Sequence, residues 1–76
     1  ITRVEAIKFI TKVSNQDLDK YEDFNIFDVD KSSWKYKYMN YAFRNNFFSL
    51  INGEIFPDKE LTREEFIYIL YKILHS

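Results

Sequence analysis

The sequence predicts an all-α fold: three main helices, near residues 3–14, 34–45 and 63–75, joined by long ordered loops with at most a short ribbon. Three observations carry this expectation. The opening ITRVEAIKFITKV returns sixty positions later as LTREEFIYILYKI, with Thr2/Thr62, Arg3/Arg63, Glu5/Glu65, Ile7/Ile67, Ile10/Leu70, Lys12/Lys72 and Val13/Ile73 in register. Both copies open with a T-x-x-E capping box, in which the threonine oxygen accepts from the N3 amide and the glutamate accepts from the N-cap amide. Apolar residues then recur at helical spacing in both copies.

The elements follow in order. In the first helix Ile7, Ile10 and Val13 share an apolar side, with Phe9 beside them, and Ile1 with Ala6 makes a weak hydrophobic staple before the cap. Residues 15–31 are acidic and turn-rich, and read as irregular apart from a short helix around Asp17–Phe24. Ser32 or Ser33 caps the middle helix, which places Trp34, Tyr38, Tyr41, Ala42 and Asn45 on one side. Asn45-Asn46 ends it, because asparagine tolerates the left-handed conformation. Asn52-Gly53 is a tight-turn signal whose flanks, 47–51 and 54–56, are too short for more than a small ribbon. Pro57-Asp58 leads to Leu61 and the Thr62 cap. Leu61 and Phe66 staple the last helix, and Phe66, Ile67, Ile69, Leu70, Ile73 and Leu74 trace its wide apolar face.

Seventy-six residues make one small domain, which buries only about 60% of its unfolded surface. With no cysteine to form a disulfide or thiolate metal site, dense packing or association must supplement that core. Aromatic residues are 20% of the chain, enough to supply both a core and an interface. A net charge of −1 excludes nucleic acid as the main partner, since phosphate binding needs a basic surplus. No apolar run approaches a membrane span. The chain begins at Ile1 without Met and reads as a piece of a longer protein.

Neither catalysis nor a cofactor is expected, for there is no nucleophile–base pairing, phosphate loop or Cys/His cluster. The string from Asp28 to Ser32 starts like a calcium loop, but Ser33 and Met39 stand where glycine and glutamate are required. His75 ends a helix, where a cation suits the dipole. Arg3 and Arg63 are more informative. Each follows its capping threonine at N1, where the dipole is already positive and a cation is disfavoured. Either the arginine pairs with a nearby acid such as Asp28, or guanidinium and free helix amides together receive an anion. Trp34 likewise reads either as a core ring or as an exposed platform.

At this point the order of signals resembles the S-layer homology family, whose repeat typically reads F-x-D-V, W-A, a helix, G-Y-x-D-G-x-F-x-P and T-R-A-E. Here Asp28-Val29, Trp34, Asn52-Gly53, Pro57 and Leu61-Thr-Arg-Glu-Glu65 stand in that order. Departures are Ile26 for the usual aromatic, Lys35 for alanine, Phe47 for glycine, Leu50-Ile51 for Gly-Tyr, and a turn one residue short. The resemblance implies the terminal helix of a preceding repeat at 1–14, a linker at 15–25 and one repeat at 26–76. It further implies a non-catalytic module of the bacterial cell surface that binds an acidic secondary cell-wall polysaccharide, such as a pyruvylated one. Arg3, Arg63, Trp34, Asn52 and Gly53 would form the ligand site, and neighbouring repeats or a second chain would be protein partners. The competing expectation is a degenerate repeat that serves only protein–protein assembly.

Overall fold

Each helix starts and stops where the backbone hydrogen bonds left over at its ends find partners. A computed structural model describes residues 1–75 and contains α1 (Arg3–Val13), α2 (Lys35–Arg44) and α3 (Arg63–Leu74), the three expected helices to within a residue or so at each end. Both capping boxes are formed. The Glu5 amide donates to Thr2 Oγ1 at 3.2 Å and the Thr2 amide to Glu5 Oε1 at 2.9 Å; Glu65 and Thr62 repeat the pair at 3.1 and 2.9 Å. Ser33 does the capping work expected of it, its hydroxyl accepting from the Lys35 amide at 3.2 Å, although Trp34 already has helical angles.

Two helices end in the same way. Asn46 (φ 62°) follows α2 in the left-handed region, and the Phe47 and Asn46 amides return to the Ala42 and Phe43 carbonyls. Asn15 (φ 55°) does this for α1, with the Gln16 and Asn15 amides on the Thr11 and Lys12 carbonyls. Both are Schellman ends that satisfy carbonyls otherwise left orphaned.

Two expectations need correction. Residues 17–24 form a turn with bends and irregular chain rather than a short helix. Asp17 Oδ1 accepts from the Asp19 amide, a local turn that competes with helix, and α2 takes up the backbone that follows. Asn40 Nδ2 and Arg44 Nη2 donate to the Glu22 carbonyl, and the Tyr36 hydroxyl accepts from the Phe24 amide. The second correction concerns the buried side of α2, which is Tyr36, Met39, Asn40, Tyr41 and Ala42, not a stripe led by Trp34. Aromatic residues lie all round this helix, so spacing alone did not select a face.

The core joins Val4, Ile7 and Ile10 of α1, Met39 and Ala42 of α2, and Ile69 and Ile73 of α3 with Ile26, Phe48 and Ile55 from the connections. Among the described residues there is no strand, only isolated bridges between Thr2 and Glu60 and between Ile51 and Glu54. Asn52 (φ 53°) and Gly53 (φ 81°) form the expected two-residue turn, with the Ile51 and Glu54 backbones exchanging hydrogen bonds at 2.9 and 3.0 Å. Gly53 is required twice over: a Cβ there would lie 2.5 Å from the Phe27 ring, whose backbone amide donates to the Gly53 carbonyl. Asp28 then clamps the chain leaving the turn. Its two carboxylate oxygens accept from the Ile55 and Phe56 amides at 2.9 and 2.8 Å, holding Phe56 at φ 55°.

Asp28→Ala is expected to destabilise the fold by about 2–4 kcal/mol, because two charge-assisted hydrogen bonds and a strained residue are released together; urea denaturation measures it. A second prediction concerns pH. Hydrogen bonds from the backbone amides of Thr2 and Thr62 lower the carboxyls of Glu5 and Glu65 below 4.5. The unfolded chain therefore binds more protons near that value. This stabilisation is complete above 4.5 and disappears as pH falls through the lowered folded values. A Glu5→Gln/Glu65→Gln variant should lose less helical circular dichroism over that window than the parent.

Candidate functional site

An open groove of about 620 Å³ runs between α1 and the start of α2. Glu5, Lys8, Phe9 and Lys12 project into it from α1, because residues three and four apart share one side of a helix. Trp34 and Lys35 face them at the start of α2, with Val4, Thr2 and Asp58 completing the lining. Trp34 is half-exposed rather than a core residue, which decides between the two readings of it. Its indole packs edge-on against Tyr38, with ring centroids 6.1 Å apart. Lys8 Nζ lies 5.0 Å from the indole centroid and Lys35 Nζ 5.9 Å, both within cation–π range.

The charges in this groove are not equivalent. Lys35 Nζ is paired with Asp58, at 2.9 and 3.2 Å to its two oxygens. Glu5 is committed to the capping box of α1. Lys8 and Lys12 have no acidic partner among the described residues. The groove thus offers an aromatic face beside two uncommitted ammonium groups, a combination suited to a ligand that is part apolar and part anionic.

The five residues singled out from the sequence do not gather around it. Trp34 alone lines the groove. Arg3 points elsewhere: its Nη1 donates to the Ile55 carbonyl at 2.7 Å, and its guanidinium sits 4.5 Å from the Phe48 ring centroid. The amides of Arg3 and Val4 donate to the Lys59 and Pro57 carbonyls, both at 2.9 Å, so this helix start has no amide left for an anion. Arg63 is exposed and forms no ion pair among the described residues. It is not paired with Asp28, whose oxygens serve Ile55 and Phe56. Asn52 and Gly53 shape the turn that carries Ile55 and lie outside the groove lining. Sequence reasoning missed Lys8 and Lys12. Their i, i+4 spacing was the available signal, but which side of the helix stays open depends on where α2 packs.

Asp30 is used locally, its carboxylate accepting from the Ser32 amide and hydroxyl at 2.8 Å each; the amide bond chiefly lowers its pKa. No cluster of three potential metal ligands occurs among the described residues, and no described helix is long and apolar enough to cross a membrane.

Comparison with known protein families places the chain in one of them. The family model described as the S-layer homology domain matches residues 28–67, more than half of the chain. No curated protein and no solved structure matches it.

The two N1 arginines are expected to behave differently on replacement. Arg3→Ala should cost about 2–3 kcal/mol, from a part-buried charged hydrogen bond and a ring contact. Arg63→Ala should stay within about 0.5 kcal/mol, as for other exposed positions. Thermal melts of the two variants against the parent check both.

Proposed function

Because this chain belongs to the S-layer homology domain family, whose members are cell-wall anchoring modules of cell-surface proteins, we propose that it anchors its protein by binding an acidic secondary cell-wall polysaccharide in the groove between α1 and α2. Modules of this family are non-catalytic, and binding with no reaction is the activity to be accounted for.

The observation that carries the proposal is the exposed indole of Trp34 beside Lys8 and Lys12. A pyranose has one face dominated by C–H groups, which packs on an indole and removes apolar surface from water. An acidic substituent such as a pyruvyl ketal projects from the ring edge, where Lys8 and Lys12 meet it. The Lys8–indole contact is replaced on binding by a contact of the same kind with sugar, while the ammonium moves to the carboxylate. Arg3 and the Asn52-Gly53 turn support the groove at one remove, since both fix the chain at Ile55 that precedes the Asp58 wall. Arg63 stands apart from this groove. A second reading, a module for assembly with other protein units, is favoured by a separate observation: Ile67, Tyr71 and Leu74 of α3 are all exposed.

Trp34→Ala should weaken binding to sacculi that retain their secondary polymer by about tenfold or more, the loss of roughly 1.5–3 kcal/mol of buried aromatic surface. Lys8→Glu/Lys12→Glu should abolish it, and parent binding should weaken as salt rises. Sacculi stripped of the polymer should bind nothing. Undiminished binding by both variants would place the glycan elsewhere.

A further inference from the structure

A second cavity, of about 300 Å³, opens where the helices end, and it shares no lining residue with the α1–α2 groove. Asn45 and Lys72 line it from the ends of α2 and α3, Lys20 and Tyr21 from the segment after α1, and Tyr41 from within α2. Two lysines and no acid face it. Lys20 is flanked in sequence by Asp17, Asp19, Glu22 and Asp23, yet neither it nor Lys72 forms an ion pair among the described residues. Tyr41 is 2% exposed, and its hydroxyl has no hydrogen-bond partner among the described residues. Leaving a buried hydroxyl unpaired costs free energy, so folding alone favours phenylalanine at this position. Tyr21 stands edge-on to it, with ring centroids 5.6 Å apart. The Tyr21 hydroxyl accepts from Asn45 Nδ2 at 3.2 Å, which leaves its own proton without an acceptor.

We propose that this cavity binds a phosphoryl group, the Tyr41 and Tyr21 hydroxyls donating to its oxygens while Lys20 and Lys72 neutralise its charge. Two ammonium groups match the near-dianionic charge of a phosphate monoester better than the single charge of a carboxylate. Burial pushes the Tyr41 phenol up to about 12, so it enters the site as a donor. The carbonyls at the ends of α1 and α2, which would repel an anion, are already taken: the Gln16 amide donates to Thr11 and the Phe47 amide to Ala42. Phe47 also brings apolar surface to the lining, which fits an organic ester better than the bare inorganic ion. This site is separate from the groove around Trp34, and neither reading depends on the other's outcome.

The test is calorimetric titration of the 76-residue chain at low salt with two probes, α-D-glucose 1-phosphate and inorganic phosphate. Saturable binding is expected, tighter for the ester. Equal binding of the two assigns the site to free phosphate and sustains the proposal. Tyr41→Phe should weaken binding about tenfold, the loss of one hydrogen bond to a charged group. The same variant should leave the melting midpoint of the free chain unchanged or raised, because its hydroxyl has no protein partner to lose. Lys20→Gln/Lys72→Gln should weaken binding further, by about a hundredfold. Saturable binding of neither probe, or binding that either variant leaves intact, overturns the proposal. So does a Tyr41→Phe midpoint lowered by about 4 °C or more, since the hydroxyl is then structural.

Discussion

Everything in this small fold rests on how the start of α1 is seated on the chain between Ile55 and Leu61. The Arg3 and Val4 amides, free by necessity in any helix, donate to the Lys59 and Pro57 carbonyls. The Leu61 amide returns to the Ile1 carbonyl at 2.8 Å, and Arg3 adds its own bond to Ile55. A loop without regular structure thereby obtains partners for its backbone, and a helix from the other end of the sequence is brought onto α2. Once it is there, Val4, Ile7 and Ile10 join Met39 and Ala42 of α2 and Ile69 and Ile73 of α3 in one core.

The same seat explains why the candidate site exists. Docking α1 by its Val4–Ile7–Thr11 side turns Lys8, Phe9 and Lys12 toward Trp34. The acid that would neutralise this groove is already occupied, Glu5 by the cap of its own helix and Asp58 by Lys35. Lys8, Lys12 and Lys35 against Glu5 and Asp58 leave the lining a formal charge of +1, where the chain as a whole is slightly acidic.

The acidic stretch after α1 behaves differently from a tether. Glu22 and Phe24 lend their backbone groups to Asn40, Arg44 and Tyr36, so the segment is stitched along α2. Burial raises the Tyr36 hydroxyl above its ordinary value, and that hydroxyl accepts from the Phe24 amide and donates to the Phe24 carbonyl and Asp23. Tyr41, also buried, is pushed up to about 12. Both rings belong to the core, which accounts for part of the aromatic excess without any ligand.

How much was legible in the sequence depended on how local the deciding interaction was. The three helices, their two capping boxes, the asparagine stop after α2 and the Asn52-Gly53 turn were all readable, because each is closed by residues within four or five positions of one another. The family was readable too, since its signals are such local features in a fixed order. What lay beyond the sequence was every choice between faces. Trp34 could have been inside or outside α2, Arg3 and Arg63 share a motif yet only one is engaged, and Ile7 and Ile67 match in register but not in burial. Those outcomes depend on contacts between residues some fifty positions apart, as in the bond from Arg3 to Ile55. The sequence determined which sides of each helix are apolar; only the packing of α1 onto the distant loop decided which of them meets protein and which meets solvent.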